Sequence, residues 1–204
     1  MGTGTLTAYH GDAAVKAKYV ARFEAHRAAD EVIQGTGFKN GRGCFVGCTL
    51  DKYDHGRFPV ELGWPEWLAR LADSIFEGLP KAAAPQFGTD LLAAVPVGVD
   101  LDAARAPFLI GVQRGNLTRL DGNTEPYAQQ CRDAIQRVID WLAGGALEAA
   151  WSAARSAAES AAWSAESAAW SARSAAESAR SARAESESQR DLLLSIVRQM
   201  GAKQ

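Results

Sequence analysis

From Ser152 onward the chain repeats a four-residue phrase, Ser-Ala-Ala-X with occasional deletions, and no other feature constrains its fold so strongly. X is Arg155, Glu159, Trp163, Glu166, Trp170, Arg173, Glu177 or Arg180. At 100° per residue the serines from Ser152 to Ser181, spaced by fours and threes, keep to one face. The X residues take a second face and the alanines a third. Alanine is the strongest helix former, so the pattern predicts one helix from about Leu147 to Met200, about 75–80 Å long if unbroken. Small side chains let another helix approach at the short end of the usual ~8–10 Å range, but each alanine buries little area. Long contact must compensate for weak contact. Trp151, Trp163 and Trp170 are expected to mark where this helix docks. Leu192, Leu193, Leu194, Ile196 and Val197 form an apolar end that also needs a partner. A solvated stalk held by Arg/Glu pairs is the plainer alternative. A long partner must lie alongside, from the chain's own domain or a second copy, and we expect a homo-oligomer, most simply a dimer.

The remainder reads as a helical domain over residues 1–143, followed by the long helix over 146–200. The fold class expected is therefore all-α. With 204 residues, 47% hydrophobic and 23% charged, the chain can bury a real core. A formal charge of −2 provides no overall field for a nucleic-acid polymer or an anionic membrane. No stretch reaches the roughly 20 apolar residues of a membrane helix. Met1 to Ala8 has neither the basic nor the apolar region of a secretory signal. A cytoplasmic protein is expected, with Cys44, Cys48 and Cys131 reduced.

Apolar spacing predicts a helix from Asp12, its cap, to Ile33, stopping at Gly35. Residues 35–48 follow, too glycine-rich to hold regular structure throughout. A short strand is possible at Cys44 to Leu50. Pro65 opens an amphipathic helix through Trp67, Leu68, Leu71, Ile75 and Phe76, with Gly78 placed as its C-terminal cap. Two short core helices are expected around Asp90 to Val95 and Ala103 to Val112. Thr124 and Pro126 then open a helix lined by Tyr127, Cys131, Ile135, Val138, Ile139 and Leu142, ending at Gly144-Gly145.

Three features invite a chemical reading. Lys18, Arg22 and His26 recur every fourth residue of the first helix, a stripe that can line a site for an anion or can merely snorkel at the rim of a buried face. The glycine loop adds Lys39 and Arg42, and its free backbone amides can cradle phosphate oxygens. It lacks the Gly-Lys-Ser/Thr ending of a P-loop and the G-x-G-x-x-G of a dinucleotide fold. His10 completes the candidate ligand-binding set. Cys44 and Cys48, spaced C-x-x-x-C with His55 nearby, fit a zinc site poorly, and a Cys/His nucleophile pair rests on residue type alone. No metal, cofactor or catalytic residue is assigned, and the thiols are expected to be packing residues.

Four blocks, Tyr9-His10-Gly11-Asp12, Gly43-Cys44-Phe45-Val46-Gly47-Cys48, Glu61-Leu62-Gly63-Trp64-Pro65 and Ile75-Phe76-Glu77-Gly78-Leu79-Pro80, precede the Ala/Ser tail. In this order the chain resembles a family of poorly characterised phage and prophage proteins. The resemblance implies an accessory protein acting in a bacterial host cell, where such proteins often counter host defence. It transfers no functional residue. The leading expectation is a non-enzymatic counter-defence protein that binds and sequesters a small anionic, nucleotide-like immune signal. The alternatives are a protein-binding inhibitor or scaffold acting through the long helix, and a nucleotide-modifying enzyme using His10, Asp12, His26 or Cys44.

Overall fold

Asp12 starts the first helix, α1 (Ala13–Ala28), by accepting the Ala14 N–H at 2.7 Å. The computed structural model describes residues 6–144 and 175–202, and over these the regular structure is helical apart from one two-stranded hairpin and a single parallel bridge between Val32 and Gly43. Helix α1 does not reach Ile33. Asp30 turns left-handed at φ 55, its N–H reaches the Arg27 carbonyl and the Glu31 N–H reaches that of His26. This is a Schellman end with aspartate, not glycine, in the left-handed position.

The glycine segment is more regular than its composition suggests. Strands β1 (Phe38–Lys39) and β2 (Arg42–Gly43) pair antiparallel across Asn40 and Gly41, whose φ values of 53° and 79° make a type I′ turn. The stretch expected as a strand is instead helix α2 (Phe45–Leu50), with Phe45, Val46 and Cys48 fully buried. Short apolar runs of this kind carry no period that separates strand from buried helix.

Helix α3 (Phe58–Leu62) ends on Gly63 at φ 64, and a methyl group there would overlap the Thr7 carbonyl oxygen. Helix α4 (Glu66–Gly78) follows Pro65, its N-cap. The cap at the other end is Leu79, not Gly78. Gly78 serves a different need: a side chain there would run into Ser186 of the C-terminal helix. Helix α5 (Ala84–Ala94) starts earlier, and α6 (Arg105–Arg119) runs later, than the two short helices expected. Pro85 and Pro107 lie in their first turns, where a missing N–H costs nothing. Helices α7 (Pro126–Gly144) and α8 (Ala175–Gly201) complete the order.

The chain divides into two compact units, Met1–Ala104 with Ala179–Gln204, and Arg105–Ser178. In the first, buried aromatics run as a connected series. Phe23 of α1 meets Phe45 at 5.8 Å, Phe45 meets Phe58 at 6.0 Å, Phe58 meets Trp64 at 6.0 Å, and Trp64 meets Tyr9 edge-on at 5.7 Å. Gly88 of α5 lies against the Phe23 ring. The Gln34 amide donates to the Phe76 and Leu79 carbonyls at 2.7 and 2.8 Å, satisfying the end of α4. In the second unit α6 packs on α7, and the Arg132 guanidinium donates to the Leu120 and Asn123 carbonyls at 3.1 and 3.3 Å, closing the turn between them.

Leu193, Leu194 and Val197 of α8 are buried. The apolar end of the chain, one of two grounds for expecting an oligomer, is thus covered within the chain. The other ground, the Ala/Ser repeat, is described only from Ala175 on, as the start of α8, and Trp151, Trp163 and Trp170 lie outside the described residues. No helix among the described residues is long and apolar enough to cross a membrane.

The close approach at Gly78 makes a test of how α8 is held. Gly78→Val should cost about 1–3 kcal/mol, the usual effect of overpacking, and should open residues 182–201 to limited proteolysis before the rest of the first unit. Unchanged stability to urea would remove the Gly78–Ser186 seat as a determinant of docking.

Candidate functional site

Two of the cations on α1 converge on a single carboxylate. Arg22 Nε lies 3.1 Å from Asp51 Oδ2, and His26 Nε2 lies 2.7 Å from Asp51 Oδ1. Asp51 is brought there by its own backbone, which turns left-handed at φ 55 directly after α2. Arg22 also donates to the Thr49 carbonyl at 3.2 Å. The second ring nitrogen of His26, Nδ1, meets Glu31 Oε2 at 2.6 Å. Ionised carboxylates only accept, so an imidazolium donating from both nitrogens satisfies the pair. Burial of the ring opposes its charge, and the hydrogen bonds to Asp51 and Glu31 outweigh it, leaving the His26 pKa raised.

The other candidate residues are distributed around this pair. Lys18 Nζ and the Arg22 guanidinium lie 4.8 and 5.3 Å from the centre of the Tyr19 ring. The His26 ring packs edge-on against Phe38 at 5.9 Å, which seats the hairpin beside the end of α1. On that hairpin Lys39 and Arg42 are direct cross-strand partners. Like charges placed opposite each other repel. Arg42 donates to the Asp30 carbonyl at 3.3 Å. His10 stands apart, with Nε2 3.0 Å from the Val60 carbonyl. Its left-handed backbone belongs to the Tyr9–Gly11 turn that leads into α1.

A second cluster gathers around Asp73 on the buried face of α4. His55 Nε2 and the Tyr53 hydroxyl lie 3.1 and 3.2 Å from Asp73 Oδ2. Cys44 Sγ, an Asp73 oxygen and a Glu77 oxygen lie within 4.8 Å of one another. Burial, and then the Asp73 carboxylate, push the Cys44 thiol far up, so it is protonated at neutral pH. The carboxylate stands beside both the thiol and the imidazole, whereas a nucleophile needs the base beside it and the carboxylate behind the base. Cys48 is separate. Its thiol donates to the Gly43 carbonyl at 3.2 Å, and burial first of all raises its pKa to about 12.

Asp51, Asp73 and Glu77 were not singled out by the sequence. Asp73 and Glu77 did leave a signal, since residues four apart share a helix face and Asp73 falls among the apolar positions of α4. Asp51 left none, because its role depends on the left-handed turn after α2. Comparison of the chain with protein-family profiles, curated proteins and solved structures finds no match.

The His26 geometry has a defined pH signature. A raised folded-state pKa means that the imidazolium stabilises fully below the unfolded value of about 6.5, and that this stability is lost as pH rises through the folded value. The stability of the native chain over His26→Gln, read from urea midpoints, should therefore be greatest below about pH 6.5 and fall as pH rises through the raised folded-state value. His10 and His55 are common to both proteins and cancel. A difference independent of pH would refute the imidazolium assignment.

Proposed function

We propose that the chain is a phage-type counter-defence protein that binds a small, multiply charged, nucleotide-like anion and withholds it from a host defence system. The ligand site is the face made by Arg22 and His26 with Lys18 beside them and the Lys39–Arg42 hairpin adjoining. One observation carries the reading: Arg22 and His26 already hold a carboxylate on both its oxygens, that of Asp51. The side chains are spaced for an oxyanion, and Asp51 occupies the place a ligand anion would take. Its side chain is 49% exposed. Exposed ion pairs are worth about 0.2–1 kcal/mol, so a phosphate with more charge and more acceptor oxygens can displace it. The opposed Lys39 and Arg42 gain as well from a shared counter-anion. The phage context rests on the four sequence blocks.

Purified protein should be denatured and its released small molecules identified after incubation with candidate nucleotides. Intact recovery supports sequestration, an altered nucleotide supports an enzyme, and no uptake favours a protein partner. Two substitutions separate the site from its surroundings. Arg22→Ala should weaken binding by about tenfold to a hundredfold, the worth of a hydrogen bond to a charged group. Asp51→Asn, which tolerates the left-handed backbone, removes the competing charge and should tighten binding by up to about fivefold, since about 1.4 kcal/mol is one decade. An Asp51→Asn protein that binds more weakly would show that Asp51 supports the site instead of competing for it, and would overturn the exchange.

A further inference from the structure

We infer that Cys44, Asp73 and Glu77 form a binding site for one thiophilic divalent transition-metal ion of the zinc type, with His55 and Tyr53 holding the Asp73 carboxylate in place. The site is distinct from the Arg22–His26 face, and neither reading depends on the other.

Three observations carry it. The first is spacing. Zinc bonds of about 2.0–2.3 Å, set at tetrahedral angles, place donor atoms roughly 3.3–3.8 Å apart. Cys44 Sγ and the two carboxylate oxygens already lie within 4.8 Å of one another, so rotation of side chains without backbone movement can close the triangle. The donors are one soft sulfur and two oxygens, a set that suits zinc and its neighbours better than calcium or magnesium.

The second is an unmet acceptor. The Asp73 side chain is 9% exposed, its Oδ2 is met by His55 and Tyr53, and no N–H or O–H donor reaches Oδ1, the Cys44 S–H being the one weak donor that faces the carboxylate. A buried carboxylate oxygen without a donor is costly and rare. A cation bonded to Oδ1 supplies what is missing. The division of labour between the two oxygens is that of a metal ligand, one toward the ion and one fixed by outer partners.

The third is charge. Asp73 and Glu77 are one turn apart on α4, so two carboxylates and a thiol share a small volume. Like charges held this close repel each other. A divalent ion reverses that cost. On binding, the Cys44 S–H bond breaks, a sulfur–metal bond forms, and one proton leaves to solvent. Glu77 is exposed and gives the ion its way in, and the Gly35 N–H holds one of its oxygens at 2.8 Å. With three protein donors the fourth position is left for water or an exchangeable ligand.

The full chain, stripped with chelator, should be titrated with Co2+ alone. The site predicts one ion per chain and a thiolate-to-cobalt charge-transfer absorption that Zn2+ abolishes by displacement. The absorption should vanish in Cys44→Ser and persist in Cys48→Ala and Cys131→Ala. Glu77→Gln, at an exposed position, should weaken Co2+ binding by about tenfold or more without lowering the Tm of the stripped protein. It decides the matter even if Cys44→Ser fails to fold. Absence of stoichiometric uptake, survival of the absorption in Cys44→Ser, or a Glu77→Gln affinity within about twofold of the native chain would each overturn the assignment.

Discussion

The carbonyl of Gly37 sits so close to Gly43 and Gly47 that a Cβ at either position would overlap it. The Cys44 N–H reaches the same oxygen at 3.1 Å and the Thr36 carbonyl at 2.9 Å. This contact presses the hairpin onto the start of α2, and both clusters depend on it. At one end of α2 it fixes Cys44 beside α4. At the other end α2 runs directly into Asp51, which closes on Arg22 and His26. A side chain at Gly43 or Gly47 would force α2 away from the hairpin and disturb both clusters together, although no titratable atom had been changed.

The two clusters solve the problem of placing charge in opposite ways. Around Arg22 and His26 each cation has a carboxylate within hydrogen-bond reach, and the Asp51 carboxylate that both share is half exposed to water. Such an arrangement costs little to open, which suits exchange of one anion for another. Around Asp73 the carboxylates and thiol are crowded, and an imidazole and a phenol share one oxygen. Here the imbalance is buried, where the effective dielectric is low and an unmet group costs most. A cation is needed there far more than on the surface.

Much of the architecture was legible because it rests on local rules. Asp12 capped its helix, Pro65 preceded α4, and the Tyr127 to Leu142 spacing gave α7. Two of the departures share a cause, which is that a glycine does more than break regular structure. Asn40-Gly41 is a strong hairpin signal when flanked by extended residues, but the glycines on either side of it mask that signal in the sequence. Gly78 sits where a local pattern places a cap, but its use is to admit α8, a long-range fact that no local pattern contains. Asp30 ended α1 in a position where a glycine was sought. For the sites, the spacing of Lys18, Arg22 and His26 was visible, but which carboxylates would face them was not. Cys44 and His55 stand out by residue type, whereas the residue that links them, Asp73, is the one acid buried on the apolar face of α4.

The four sequence blocks look different once packing is subtracted. In the first, Tyr9 is buried with its hydroxyl on the Leu92 carbonyl at 2.6 Å, Gly11 is left-handed, and Asp12 caps α1. In the third, Leu62 and Trp64 are core and Gly63 permits the close approach to Thr7. The second and fourth contain similar hardware: Phe45 and Val46 in the core, Gly47 against Gly37, Ile75 and Phe76 in the core, Gly78 against Ser186. What packing does not require is a thiol facing a carboxylate at Cys44 or a carboxylate at Glu77. Alanine or serine would fill the first place, and glutamine would still accept from Gly35 at the second. These two side chains come from blocks far apart in the chain, and folding sets them against each other across the buried Asp73. Two acids and a thiol brought together at a stability cost call for a chemical reason, and a shared cation provides one that hydrophobic packing cannot.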